Sequence, residues 1–275
     1  MLPLLLIFMV SGSSSTSIIK ENSYKKIEFF VQAILILHLG FQILHFLFGK
    51  GYYSFIFENL NARNPGLFYY PAAAASLTAT LLLLKVGLSS EVKQKMVWPY
   101  FLSFFLASSI TGLLFSITIG AYLFKKISSK FEQLLIASLI ILSFPFLHYA
   151  RFSMSGDQYL EQTGGTRLDI LIASIKNATL FPENFGIYTN ASRLQEHHLV
   201  SDSMFASSIG NLGIIWSFVF IGLIGYHIRS NFKKSTDYYF ILLVSLLISC
   251  SSMVITEIPI VFALFLLSAS LKFTG

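Results

Sequence analysis

The sequence predicts an all-α protein: a polytopic transmembrane bundle of about eight to nine spans with one large extracytoplasmic loop. Three observations predict it. The 275 residues are 55% hydrophobic and 12% charged, where a soluble domain carries about 25% charge. The apolar residues come in runs, and a run of about 20 crosses a bilayer as a helix. The lysines and arginines gather in short stretches between those runs, which is how a membrane protein encodes its orientation. Inside lipid the backbone must satisfy its own hydrogen bonds, which selects helices. Runs such as Ile136 to Phe144 do not alternate, so a β-barrel is excluded.

Taken in order, the candidate spans are Leu2–Ile19, Ile27–Phe48, Leu67–Leu84, Val97–Phe124, Phe131–Tyr149, Ser208–Ile228, Tyr238–Ile255 and Ile258–Phe273. The first resembles a signal-peptide core, but no positive segment precedes it. It is read as a short or partial span, with the chain expected to be a fragment or to begin at an internal start. Four basic clusters separate the spans: Lys20, Lys25 and Lys26; Lys85, Lys93 and Lys95; Lys125, Lys126 and Lys130; and Arg229, Lys233 and Lys234. All four should be cytoplasmic.

That requirement meets a conflict at Val97–Phe124. A single crossing would put the second and third clusters on opposite sides. The stretch has a polar break, Ser108-Ser109-Ile110-Thr111-Gly112. A tight helical hairpin turning at that break returns both clusters to one side. Gly49–Gly66, Arg151–Ser207 and a short turn at Glu257 then face outward. The chain reads as one membrane domain, residues 1–275, with loop 151–207 inserted. So long a connection is uncommon unless functional. Within it, Leu168–Lys176 has helical apolar spacing suited to a membrane surface.

The outer loop collects Arg151, Asp157, Glu161, Arg167, Asp169, Lys176, Glu183, Arg193, Glu196, His197, His198 and Asp202, and the first outer segment adds Arg63 and Tyr69. Arginine grips phosphate oxygens in pairs, so several on one face suit a diphosphate. A nearby carboxylate or histidine can act as general base on a sugar hydroxyl. Solvated loop charge explains each residue singly just as well. The adjacent His197-His198 pair lacks the spaced partners of a metal site, and no metal or other cofactor is expected. Walker A, Rossmann and nucleophile-elbow patterns are absent, as is a basic stripe with interleaved aromatics, so nucleic acid is not an expected partner. Cys250, the sole cysteine, lies in a span and excludes an intrachain disulfide. Asn177-Ala-Thr and Asn190-Ala-Ser match a glycosylation pattern that is common by chance. His38 and His45, seven apart, share one helix face and read as hydrogen-bonded interior histidines. Trp98 suits a cytoplasmic interface.

Several segments resemble one family, the polytopic polysaccharide polymerases of the O-antigen and capsule type. Arg63-Asn-Pro-Gly-Leu-Phe-Tyr-Tyr-Pro71 is similar to the family's arginine, glycine and proline at the start of a span. Ser108-Ser-Ile-Thr-Gly112 resembles its serine-rich break, with Ile110 where an arginine often follows. Arg167-Leu-Asp-Ile and Leu180-Phe-Pro-Glu-Asn-Phe-Gly186 resemble its arginine, amphipathic stretch and Phe-Gly turn. Asp202-Ser-Met-Phe205 with Gly210-Asn-Leu-Gly213 resembles the end of the large loop, where related ligases carry a histidine-asparagine pair. The resemblance covers about Gly49 to Tyr226. Family members usually carry more spans upstream, so a truncated product is expected.

The resemblance implies a glycosyltransferase at the outer face of a bacterial inner membrane. Its substrate would be an undecaprenyl-diphosphate-linked oligosaccharide, polymerised into O antigen, capsule or exopolysaccharide without nucleotide or metal. A chain-length regulator and a flippase are the implied partners, beside membrane lipid. Arg63, Arg167 and Arg193 are assigned to the diphosphate, stabilising charge on the leaving group. Asp202 or His198 is assigned the proton of the attacking hydroxyl. A ligase of the same superfamily, a flippase or transporter, and an inactive remnant are the competing readings.

Overall fold

The computed structural model describes residues 21–48, 66–67, 71–88, 96–127, 129–155, 172–173, 175–176, 178–181, 208–209, 212–219, 222–223, 226 and 236–251. Among these the chain is helical, with no strand. The principal elements are α1 (Glu21–Phe48), α2 (Pro71–Leu88), α3 (Trp98–Ala107), α4 (Ile110–Leu123), a 3-10 turn (Phe124–Lys126), α5 (Lys130–Ser155) and α6 (Thr236–Ser251). Two stretches, Lys26–Phe48 and Lys130–Leu147, are long and apolar enough to cross a membrane. The predicted spans Leu2–Ile19 and Ile258–Phe273 lie outside the described residues.

The centre of the bundle is α2. Its alanines and leucines from Ala73 to Leu84 are buried on every side, the mark of a helix enclosed by others. Small residues let its neighbours approach closely. α1 and α3 lie against it, as do α4 and α6. The aromatic part of the core joins α3 to α4. Phe104 stacks on Phe115 at 6.1 Å and meets Phe101 edge-on at 5.8 Å.

The Val97–Phe124 stretch is two helices, as the serine break predicts. Pro99 sits in the first turn of α3, where its missing N–H is not needed. Ser108 ends α3 in the left-handed region, φ 49°. Ser109 then caps α4, its hydroxyl accepting from the Gly112 N–H at 2.9 Å, which satisfies one orphan donor. Gly112 lies so close to α3 that a Cβ would stand 3.1 Å from the Phe104 carbonyl.

α4 returns antiparallel to α3, and the contacts fix the directions of the rest. The Glu132 carboxylate, at the start of α5, accepts from the N–H groups of Val97 and Trp98. Lys85, near the end of α2, donates to the Met96 carbonyl at 3.2 Å. The Tyr238 hydroxyl donates to the Leu83 carbonyl at 2.7 Å, bringing the start of α6 to the same end. Glu28 lies within electrostatic reach of Lys85 and Tyr100. At the opposite end Phe146 stacks on Phe105 at 4.6 Å and faces Phe46 at 6.2 Å. Thus α1, α3, α5 and α6 start from one end, and α2 and α4 finish there. Lys85, Lys125, Lys126 and Lys130 share that end; Lys93 and Lys95 are outside the described residues.

Two boundaries differ from the sequence reading. α5 continues through Arg151 to Ser155, so the first residues assigned to the outer loop extend the helix. Pro145 lies inside it without ending it. The predicted start of the third span, Leu67, belongs instead to a turn, and α2 begins at Pro71. Proline is suited to a first helical position.

Candidate functional site

One face of α1 carries buried polar residues. Val31, Leu35, His38, Gln42 and His45 are all buried. Their spacing of four, three, four and three residues is one helical stripe. The opposite face of the same helix exposes Phe29, Ile36, Leu37 and Leu47. A water-soluble helix has the reverse pattern. Polar groups turned inward and apolar groups outward suit a lipid-facing helix.

Gln42 is held at both ends by one partner on α3. Its amide donates to the Ser103 carbonyl at 3.2 Å and its oxygen accepts from the Ser103 hydroxyl at 2.7 Å. The Ser103 hydroxyl also lies 2.8 Å from Thr78 Oγ1 on α2; with its own proton on Gln42 it accepts there, and Thr78 donates. Three helices are therefore tied at one level by a short hydrogen-bonded chain. Such a network fixes register when every member is satisfied.

His38 lies one turn along the stripe from Gln42. Its Nδ1 accepts from the Leu67 N–H at 3.2 Å. An Nδ1 that accepts requires the proton on Nε2, hence a neutral imidazole. Gly66 packs on the ring with φ +58°; a Cβ there would stand 2.3 Å from His38 Cε1. The shared face of His38 and His45 is as the sequence predicts. Gln42, Ser103 and Thr78 were not singled out from sequence. The i, i+4, i+7 spacing of 38, 42 and 45 was the available signal for Gln42.

At the basic end Glu132 supplies the N-terminal cap that α3 lacks, since Val97 offers no side-chain oxygen. Ser129-x-x-Glu132 has the sequence of a capping box, and the Glu132 N–H does approach the Ser129 hydroxyl. The Glu132 carboxylate, however, serves the neighbouring helix. Lys85 lies 5.7 Å from the Tyr100 ring centroid and Lys126 4.0 Å from that of Tyr122.

Arg63, Arg167, Arg193, His198 and Asp202 lie outside the described residues, as do the two glycosylation-pattern asparagines. Of the large loop, residues 178–181 meet the helical residues 212–219. The Ile214 N–H donates to the Thr179 carbonyl at 3.0 Å. Gly213, φ +75°, leaves no room for a Cβ against that carbonyl. Leu180 and Gly213, both within segments that carry the family resemblance, are thus brought together. Among the described residues no three His, Cys, Asp or Glu side chains converge as a metal site.

No family model matches this chain, nor does any curated protein or solved structure.

Proposed function

We propose that this chain is a multi-pass protein of the bacterial inner membrane that polymerises undecaprenyl-diphosphate-linked oligosaccharides into surface polysaccharide. The observation that carries the reading is the shared basic end of the bundle. With Lys85, Lys125, Lys126 and Lys130 on the cytoplasmic side, the hairpin turn and the far end of α5 point outward. The loop that follows Ser155 then begins on the outer side, where lipid-linked sugars await transfer. The outward apolar faces of α1 and α5 support the membrane setting. Chemistry is assigned from the resemblance: Arg63, Arg167 and Arg193 neutralise the diphosphate leaving group, and Asp202 or His198 takes the proton of the attacking hydroxyl.

The test is a gel of surface polysaccharide from cells carrying Arg167→Ala as their sole copy. Loss of the long ladder, with single lipid-linked repeats and unchanged protein in the membrane, is expected. An unaltered ladder would reject the role. Long polymer that stays on the carrier would point to a ligase. The buried stripe of His38, Gln42 and His45 favours one second reading, a flippase or transporter, because polar groups inside a spanning helix often mark a path. Repeats trapped on the inner leaflet in a deletion strain would select it.

A further inference from the structure

The start of α5 joins a fixed basic turn to an open apolar stripe. Lys125 and Lys126 lie on the 3-10 turn, and Lys130 opens α5. Gln133 holds turn and helix together, its amide donating to the Phe124 carbonyl at 2.9 Å and the Ile127 carbonyl at 3.2 Å. Lys126 donates to the Tyr122 hydroxyl at 2.7 Å, so its ammonium is already placed, and a side chain ordered in advance loses less freedom on binding. Lys125 and Lys130 are exposed. The described carboxylates of this end are Glu28, Glu132 and Asp237. Glu132, the one in the first turn of α5, is buried and directed at the N–H groups of α3. Its charge faces inward while the lysines stay at the surface.

Leu134 and Ile141 follow Lys130 along α5 and are 68% and 67% exposed. Intervals of four and seven residues put all three on one helical stripe. From Lys130 to Ile141 is about 16 Å of helix, close to half of a hydrocarbon layer of about 30 Å. The stripe therefore has a basic head and an apolar length of one leaflet. Exposed Phe131 widens it beside the lysines.

We propose that this strip of α5 binds one anionic phospholipid of the phosphatidylglycerol type. Its phosphate lies at Lys125, Lys126 and Lys130, and an acyl chain runs along Leu134 and Ile141. Charge complementarity selects the occupant. A zwitterionic lipid carries its own cation beside the phosphate and competes with the lysines. A soluble anion matches the lysines but leaves the apolar stripe unused. Lysine stems lie along an acyl chain while their heads reach the phosphate. The proposal rests on the membrane setting and not on polymerase chemistry.

The test uses the full chain in vesicles of phosphatidylcholine mixed with phosphatidylglycerol, with bromine on the acyl chains of one lipid or the other. Trp98→Phe and Trp216→Phe remove both native indoles, and Leu134→Trp sets one reporter on the stripe. Bromine quenches an indole only at close range, so the two quenching curves give the lipid preference at that place. A lysine beside an anionic headgroup is worth up to about fivefold, and one phosphate does not engage three fully, so a preference of about tenfold for phosphatidylglycerol is expected. Lys130→Gln alone should lower it about twofold, and Lys125→Gln, Lys126→Gln and Lys130→Gln together should leave about twofold or less. Phe29→Trp, on the exposed face of α1 at the same end, reports general attraction and should show about twofold at most. Equal quenching by both lipids at Leu134→Trp overturns the proposal, as does an undiminished preference in the triple variant or the same preference at Phe29→Trp. Weak quenching by either lipid overturns it too, by showing the stripe covered with protein. Loss of the preference on adding millimolar glycerol phosphate would assign the lysines to a soluble phosphate and equally overturn it. None of these measurements reads polymer formation, so their failure and that of the polymerase reading are separate.

Discussion

Removal of the Glu132 carboxylate should loosen the basic end of the bundle. Glu132 is buried, and one of its oxygens receives two backbone N–H groups, from Val97 and Trp98. Both donors belong to the first turn of α3, which has no other side-chain cap. Each hydrogen bond to a charged acceptor contributes about 1.5–3 kcal/mol. Some of that is recovered by water reaching a helix end, so about 3 kcal/mol is expected for Glu132→Ala. At about 2–4 °C per kcal/mol for a chain of this size, the melting temperature falls by roughly 6–12 °C. Glu132→Gln keeps an accepting oxygen and loses only the charge, so its fall should be about half as large. The assay is thermal unfolding of purified protein in mild detergent, followed by tryptophan fluorescence. Trp98 itself sits on the affected turn. A Glu132→Ala protein melting within about 2 °C of the parent, or a Glu132→Gln protein less stable than Glu132→Ala, would refute the reasoning.

Ser103→Ala should cost about 1–2 kcal/mol, because it removes the hydroxyl that donates to the buried Gln42 oxygen; the same melting assay reads it. Adding Gln42→Leu should restore part of that loss, since removing both polar partners is nearly neutral. Gly112→Leu should force α4 away from the Phe104 carbonyl and lower the yield of folded protein, seen as a shifted gel-filtration profile, whereas Gly112→Ala should cost far less. Single cysteines in place of Lys93 and Lys125, in a Cys250→Ser background, should both react with an impermeant maleimide only after the cells are opened. Labelling of one from outside would show that the α3–α4 stretch crosses once.

The α3–α4 hairpin was legible because two local signals agreed. Ser108 to Gly112 interrupts an apolar run, and the flanking lysines require a return. The inward face of α1 was legible in the spacing of His38 and His45. Burial of α2 on all sides was not, because an Ala- and Leu-rich run reads only as apolar, and composition does not say how many neighbours enclose it. The pairs that tie the bundle were also illegible. Gln42 meets Ser103 across 61 residues and Glu132 reaches Trp98 across 34, and no local pattern specifies a partner that far away. The boundary of α5 was misplaced because Arg151 was taken as the start of a polar loop, although no helix breaker stands between Tyr149 and Ser155. The residues chosen for chemistry, Arg63, Arg167, Arg193, His198 and Asp202, were chosen by side-chain type and resemblance alone, and they lie outside the described residues.

The shortness of α3 and α4 bears on how the chain is made. α3 has 10 residues and α4 has 14, about 15 and 21 Å of helix against a hydrocarbon layer of about 30 Å. Neither is long enough to be halted in a bilayer by itself during synthesis. They gain a reason to stay only as a pair, and only once α2 offers the groove that receives Gly112 and Phe104. The carboxylate that closes their base arrives later still, with α5. The order of the helices along the chain is thus also the order in which these contacts become available, the Glu132 carboxylate following the hairpin that it caps.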